Sequence, residues 1–97
     1  MKVEEAQNLL DELYGMKDRR RGLEKTYAWL VSEVGELSET IAKKMGRDAM
    51  AEEAADVLAW LLSFCNVASI NLQEAFLAKY SNGCPRCGSK PCSCLEV

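Results

Sequence analysis

"LVSEVGELSETIAKKMGRDAMAEEAADVLAW", from Leu30 to Trp60, is the stretch that decides the fold. Leu30, Val34, Leu37, Ile41 and Met45 recur in a three-four alternation that begins upstream at Leu23 and Tyr27. This spacing predicts a long amphipathic helix with one apolar seam. Gly46 is expected to close that helix as a C-cap, and Asp48 to open the next as an N-cap. A turn that short sends the next helix back antiparallel. The returning helix is expected from about Ala49 to Ala68, with Ala54, Val57, Leu58, Leu61, Leu62 and Cys65 on its apolar side.

Working outward, Val3, Ala6, Leu9, Leu10, Leu13 and Met16 stand at helical spacing and predict a first helix. "MKDRRRG", Met16 to Gly22, breaks that pattern and reads as a connector. Downstream, Asn71 is expected to cap a short fourth helix, "LQEAFLAKY", which ends at Ser81-Asn82-Gly83. No segment reads as a β-strand, and there is no internal repeat. The expected fold is all-α, a helical hairpin or four-helix bundle over residues 1–81. A short cysteine-rich, zinc-knuckle-like C-terminal tail follows over residues 82–97.

The 97 residues allow one domain, and 48% of them are hydrophobic. A domain of this size buries a modest share of its surface, so a stapling metal or a partner subunit is expected. A net charge of −3 and a pI near 5.0 argue against binding to a nucleic-acid polymer. A nucleotide remains possible, because a metal can supply positive charge. No stretch reaches the roughly 20 apolar residues of a membrane helix. The charged N-terminus "MKVEEAQNLLDEL" lacks the apolar core of a signal peptide. A cytoplasmic protein is therefore expected, with reduced thiols. There is no histidine, which removes His-based triads and the Glu-x-x-His signature of di-iron bundles.

The same central stretch carries two carboxylate pairs, Glu33 with Glu36 and Glu53 with Asp56. At about 100° per residue each pair falls beside the apolar seam of its helix. Trp29 shares the first stripe and Trp60 the second. Folding the helices as a hairpin brings Glu36 level with Glu53, Glu33 with Asp56, and Trp29 with Trp60. Four carboxylates that close repel one another unless some protonate or a cation joins them. Hard oxygen ligands suit Mg²⁺ or Mn²⁺, and an indole pair could hold a nucleobase by stacking. The arrangement suits metal-assisted attack on a phosphoanhydride. On spacing alone a solvated acidic face stays equally open for the carboxylates, and plain packing for the tryptophans. Arg19, Arg20, Arg21 and Lys79 are further candidates for phosphate contacts, against a reading as solvated basic surface.

The tail places Cys84, Cys87, Cys92 and Cys94 in C-x2-C-x4-C-x-C spacing. Four thiolates suit a structural Zn²⁺ with no open position for water. A disulfide pair or a reduced, disordered tail are the alternatives. Cys65 reads as plain core.

"LVSEVGELSETI" followed by "EEAADVLAWLLSFCNVASINLQEAF" resembles the MazG-like all-α nucleoside triphosphate pyrophosphohydrolases, over about Leu23 to Lys79. The family pattern is E-E-x-x-E, a variable gap, then E-x-x-D. Ser32 stands where the family often has the first glutamate, which puts outer contacts in doubt. The resemblance implies that Glu33, Glu36, Glu53 and Asp56 are Mg²⁺ ligands at a catalytic site. It implies attack of water on the α-phosphorus of an NTP or dNTP, giving the monophosphate and pyrophosphate. The proton of that water would go to Glu36, to Glu53 or to solvent. It also implies a homodimer or homotetramer. The competing reading is a non-enzymatic, zinc-containing helical oligomeric interaction module.

Overall fold

The seam of the second helix and the apolar side of the third meet as a hairpin, and two further helices flank it. The computed structural model describes residues 1–96. Its helices are α1 (Val3–Arg21), α2 (Leu23–Ala42), α3 (Arg47–Ala68) and α4 (Leu72–Tyr80), with no strand among the described residues. α3 is the central element, packed against α2 on one side and α1 on the other. Among the described residues no single helix is long and apolar enough to cross a membrane.

The turn between α2 and α3 differs in detail from expectation. The N–H of Met45 bonds to the carbonyl of Thr40 (2.9 Å) and that of Lys44 to Ile41 (3.2 Å). These two bonds make a Schellman closure. Its left-handed position is filled by Lys44 (φ 52°) and not by Gly46. Gly46 instead precedes α3 as its N-cap, and Asp48 lies in the first turn, where its charge suits the helix N-terminus. Asn71 caps α4 as expected, its Oδ1 accepting from the Glu74 N–H at 3.0 Å.

The expected connector "MKDRRRG" is a correction: α1 runs on through Arg21. Lys, Arg and Met are good helix formers, and cations suit a helix C-terminus. The loss of apolar spacing there marks a change in what the helix faces, not a break in it. α1 and α2 are separated by Gly22 alone, whose φ of 91° turns the chain in a single residue. The buried Thr26 Oγ1 donates back to the Gly22 carbonyl at 2.7 Å.

The face that α1 buries also differs. Leu9, Leu13 and Met16 are exposed, while Gln7, Gly15 and Asp18 are buried. Gln7 explains much of this orientation. Its Nε2 donates to the Ile70 carbonyl (2.6 Å) and its Oε1 accepts from the Leu72 N–H (3.1 Å). Its carbonyl accepts from Asn66 Nδ2 at 3.1 Å. These bonds satisfy backbone groups at the α3–α4 corner, which pins α1 with its polar side inward.

The core is thin. Leu62 and Cys65 of α3, 1% and 3% exposed, are its deeply buried apolar side chains. Cys65 is core, as its position on α3 suggested. The α2 seam is only partly covered: Leu30 and Leu37 are half-buried, whereas Tyr27, Val34 and Ile41 are exposed, as is Leu58 of α3.

Candidate active site

α2 delivers Glu33 and Glu36, and α3 delivers Glu53 and Asp56, to one side of the hairpin. One carboxylate oxygen from each of Glu33, Glu53 and Asp56 lies within 4.8 Å of the others. Glu36 stands close enough to Glu33 and Glu53 to share a proton with either. The grouping expected from the two E-x-x-[ED] pairs is therefore present in space, with Glu36 at its edge.

The electrostatics carry the signature of crowded anions. The Glu33 carboxyl is pushed up to about 7, first by proton sharing with Glu36, then by burial, then by the charges of Glu36, Asp56 and Glu53. The Glu53 carboxyl is also raised, first by burial and then by the charges of Glu36 and Asp56. Oε2 of Glu33 and Oε2 of Glu53 are buried without a hydrogen-bond partner. A solvated acidic face would have basic neighbours. The ion pairs among the described residues are Arg19–Asp11, Arg21–Asp18 and Lys43–Glu39, and none reaches this cluster. Converging hard oxygens from three or four carboxylates, two of which keep an unpartnered buried oxygen, are the donor set that a small divalent cation such as Mg²⁺ or Mn²⁺ accepts. The residues fit such an ion.

The tryptophans are level with each other, as the hairpin register requires. Their ring centroids lie 5.9 Å apart with planes at 18°. A base inserted between two rings needs about 7 Å, twice a stacking separation, so this pair offers no slot between its rings. The Arg21 guanidinium lies over Trp60, 4.8 Å from the ring centroid. Trp60 lines a cleft of about 380 Å³ between α1 and α3, together with Tyr14, Lys17, Asp18, Arg21 and Asp56. Asp56 belongs to both the carboxylate cluster and this cleft, so the two adjoin at that residue. Trp29 borders a separate shallow depression with Ser32.

The basic candidates separate. Arg21 enters the cleft, held by Asp18 Oδ1 at 2.8 Å. Arg19 bonds to Asp11 at 2.7 Å, across Gly15, and Arg20 is exposed. Lys79 lines a different cleft, beside the tail cysteines. Tyr14 and Lys17 were not singled out from sequence. The signal was there: Leu10, Tyr14, Lys17 and Arg21 form a 4-3-4 stripe on α1, hidden because only its first member is aliphatic.

An all-α hairpin whose two helices each carry a carboxylate pair defines the class. The MazG nucleotide pyrophosphohydrolase domain matches residues 21–88, and the chain belongs to that family. The match begins at the last residue of α1, spans α2 to α4 and stops inside the cysteine-rich tail. A search of curated proteins found no match.

Proposed function

We propose that the protein is a Mg²⁺-dependent nucleoside triphosphate pyrophosphohydrolase, converting an NTP or dNTP and water to the monophosphate and pyrophosphate. The observation that carries this reading is the cluster of Glu33, Glu53 and Asp56, the two glutamates with unpartnered buried oxygens, joined through Asp56 to a cleft lined by cations and an indole. Family membership supports the same class of reaction.

Glu33, Glu53 and Asp56 would hold the ion, with Glu36 beside them outside the ligand set. The bound ion supplies positive charge that offsets the triphosphate and the charge gathering on the leaving pyrophosphate. Lys17 and Arg21 face the phosphates from α1, and Asp18 fixes Arg21 in place before substrate arrives. Trp60, backed by Trp29, would stack the base once the Arg21 guanidinium that lies over its ring turns to the phosphates. Histidine is absent from the chain, so a carboxylate takes the proton of the attacking water. Glu36, outside the tightest trio yet within proton-sharing reach of it, is the group we assign to that role.

The working form is a homo-oligomer in this reading. Leu9, Leu13 and Met16 of α1 and Val31, Val34 and Ile41 of α2 remain exposed in one chain, and a second copy is their natural cover. The test of function is pyrophosphate release from a panel of canonical, deoxy and damaged nucleoside triphosphates, with and without Mg²⁺. Mg²⁺-dependent release from at least one of them is expected. A folded protein inert toward the whole panel would favour a non-enzymatic helical interaction module.

A further inference from the structure

Past Tyr80 the chain folds back on itself in a small loop. The N–H of Cys84 donates to the Ser89 carbonyl (3.0 Å), and that of Gly88 to the Cys84 carbonyl (2.7 Å). Gly83 is needed at the entrance. Its φ is 102°, and a Cβ there would stand 3.1 Å from the carbonyl oxygens of Gly88 and Ser89. The loop and the five residues after it bring four sulfurs, from Cys84, Cys87, Cys92 and Cys94, within 4.8 Å of one another.

All four are free thiols, and their spacing discriminates between two chemistries. Cys84 and Cys94 have their sulfurs 3.8 Å apart, and Cys87 and Cys92 have theirs 3.9 Å apart. A disulfide requires about 2.05 Å. Sulfurs at the corners of a tetrahedron, each about 2.3 Å from a central zinc, stand about 3.8 Å from their neighbours. The surroundings agree with thiolate ligands. The Ser93 N–H points to Cys87 Sγ and the Cys94 N–H to Cys92 Sγ, both at 3.3 Å. Such N–H···S bonds orient a ligating sulfur and spread its charge. Lys79 and Arg86, against one anion, Glu96, border the cleft that Cys84, Cys92 and Cys94 line, and their net positive charge opposes that of a dianionic tetrathiolate.

We propose that Cys84, Cys87, Cys92 and Cys94 bind one zinc ion as a closed tetrathiolate that fixes the tail at the end of α4. Binding exchanges up to four thiol protons for the metal, with no change of oxidation state. Four sulfurs leave no position for water, so the site is structural. It lies outside the carboxylate cluster and does not depend on the activity proposed there. The family match ends at Gly88, before Cys92 and Cys94, so the quartet is not contained in the matched region.

The test uses the full chain, reduced and stripped of metal, titrated with zinc against a chromophoric chelator, and separately with cobalt. One zinc per chain is expected, with the visible absorption of tetrahedral cobalt thiolate. The Cys84→Ser, Cys87→Ser double variant should bind zinc more than about 100-fold more weakly, since loss of supporting contacts alone costs up to that much. Glu53→Gln should bind zinc as the wild type does. Absence of stoichiometric zinc and of the cobalt spectrum in the reduced wild-type chain overturns the proposal, with no variant needed. So does zinc that survives the double cysteine change or is lost with Glu53→Gln.

Discussion

Glu33 and Glu53 sit where burial and neighbouring charge work against ionisation, and each keeps one buried oxygen without a partner. In the absence of a cation this is a destabilising arrangement at neutral pH. A carboxyl whose folded-state pKa is raised supports the fold fully below its unfolded value, here 4.5. That support is lost as pH rises through the folded value of about 7. Replacing Glu53 by Gln removes one of the charges that crowd Glu33. In Mg²⁺-free buffer, Glu53→Gln is therefore expected to melt above the wild type, by a margin that widens as pH rises through about 7. Thermal melts of the two proteins over that range check this. A variant that melts lower throughout, or a margin that narrows with pH, would show that Glu53 is an ordinary structural side chain. At this scale the sequence was informative where residues repeat with a helical period. Glu33, Glu36, Glu53, Asp56, Trp29 and Trp60 could be grouped from spacing because one hairpin register aligns all three pairs. Lys17 and Tyr14 share a helical stripe with Leu10 and Arg21, but with one aliphatic member that stripe carries no apolar mark of the inward face of α1.

Elements declared themselves by apolar period and by caps, and both signals failed in instructive places. Three helices fall close to their expected bounds, but α1 continues through its charged last turn because helix propensity outlasts apolar patterning there. Its apolar stripe faces outward because Gln7 has better use of the interior, satisfying the α3–α4 corner. No local pattern reports a bond between residues more than fifty positions apart. The α2–α3 turn was expected to rest on Gly46, yet Lys44 carries the left-handed conformation. A side chain in that region costs about 1–2 kcal/mol, partly offset by the greater unfolded-state freedom of glycine. Lys44→Gly is therefore expected to stabilise the protein by about 0.5–1 kcal/mol with the carboxylate cluster intact. Chemical denaturation measures this, and a destabilised variant would mean that the Lys44 side chain does more than occupy the turn.

For the molecule as a whole, the radius of gyration of 15.8 Å exceeds the about 13 Å usual for a globular chain of this length. With Leu62 and Cys65 the deeply buried apolar side chains among the described residues, it describes an open packing that the proposed partner copy would cover. Light scattering at low micromolar concentration is expected to give a multiple of 10.8 kDa, and a folded, active monomer would contradict that. The central claim, that the carboxylate pairs of α2 and α3 support cleavage between the α- and β-phosphates, has a more direct test. Hydrolysis of a Mg²⁺-nucleoside triphosphate in ¹⁸O-labelled water, with wild type and Glu53→Gln run side by side, reports both the bond broken and the residue required. The account predicts label in the nucleoside monophosphate, unlabelled pyrophosphate, and no turnover by the variant. Label in inorganic phosphate or pyrophosphate, or wild-type turnover by Glu53→Gln, would contradict it.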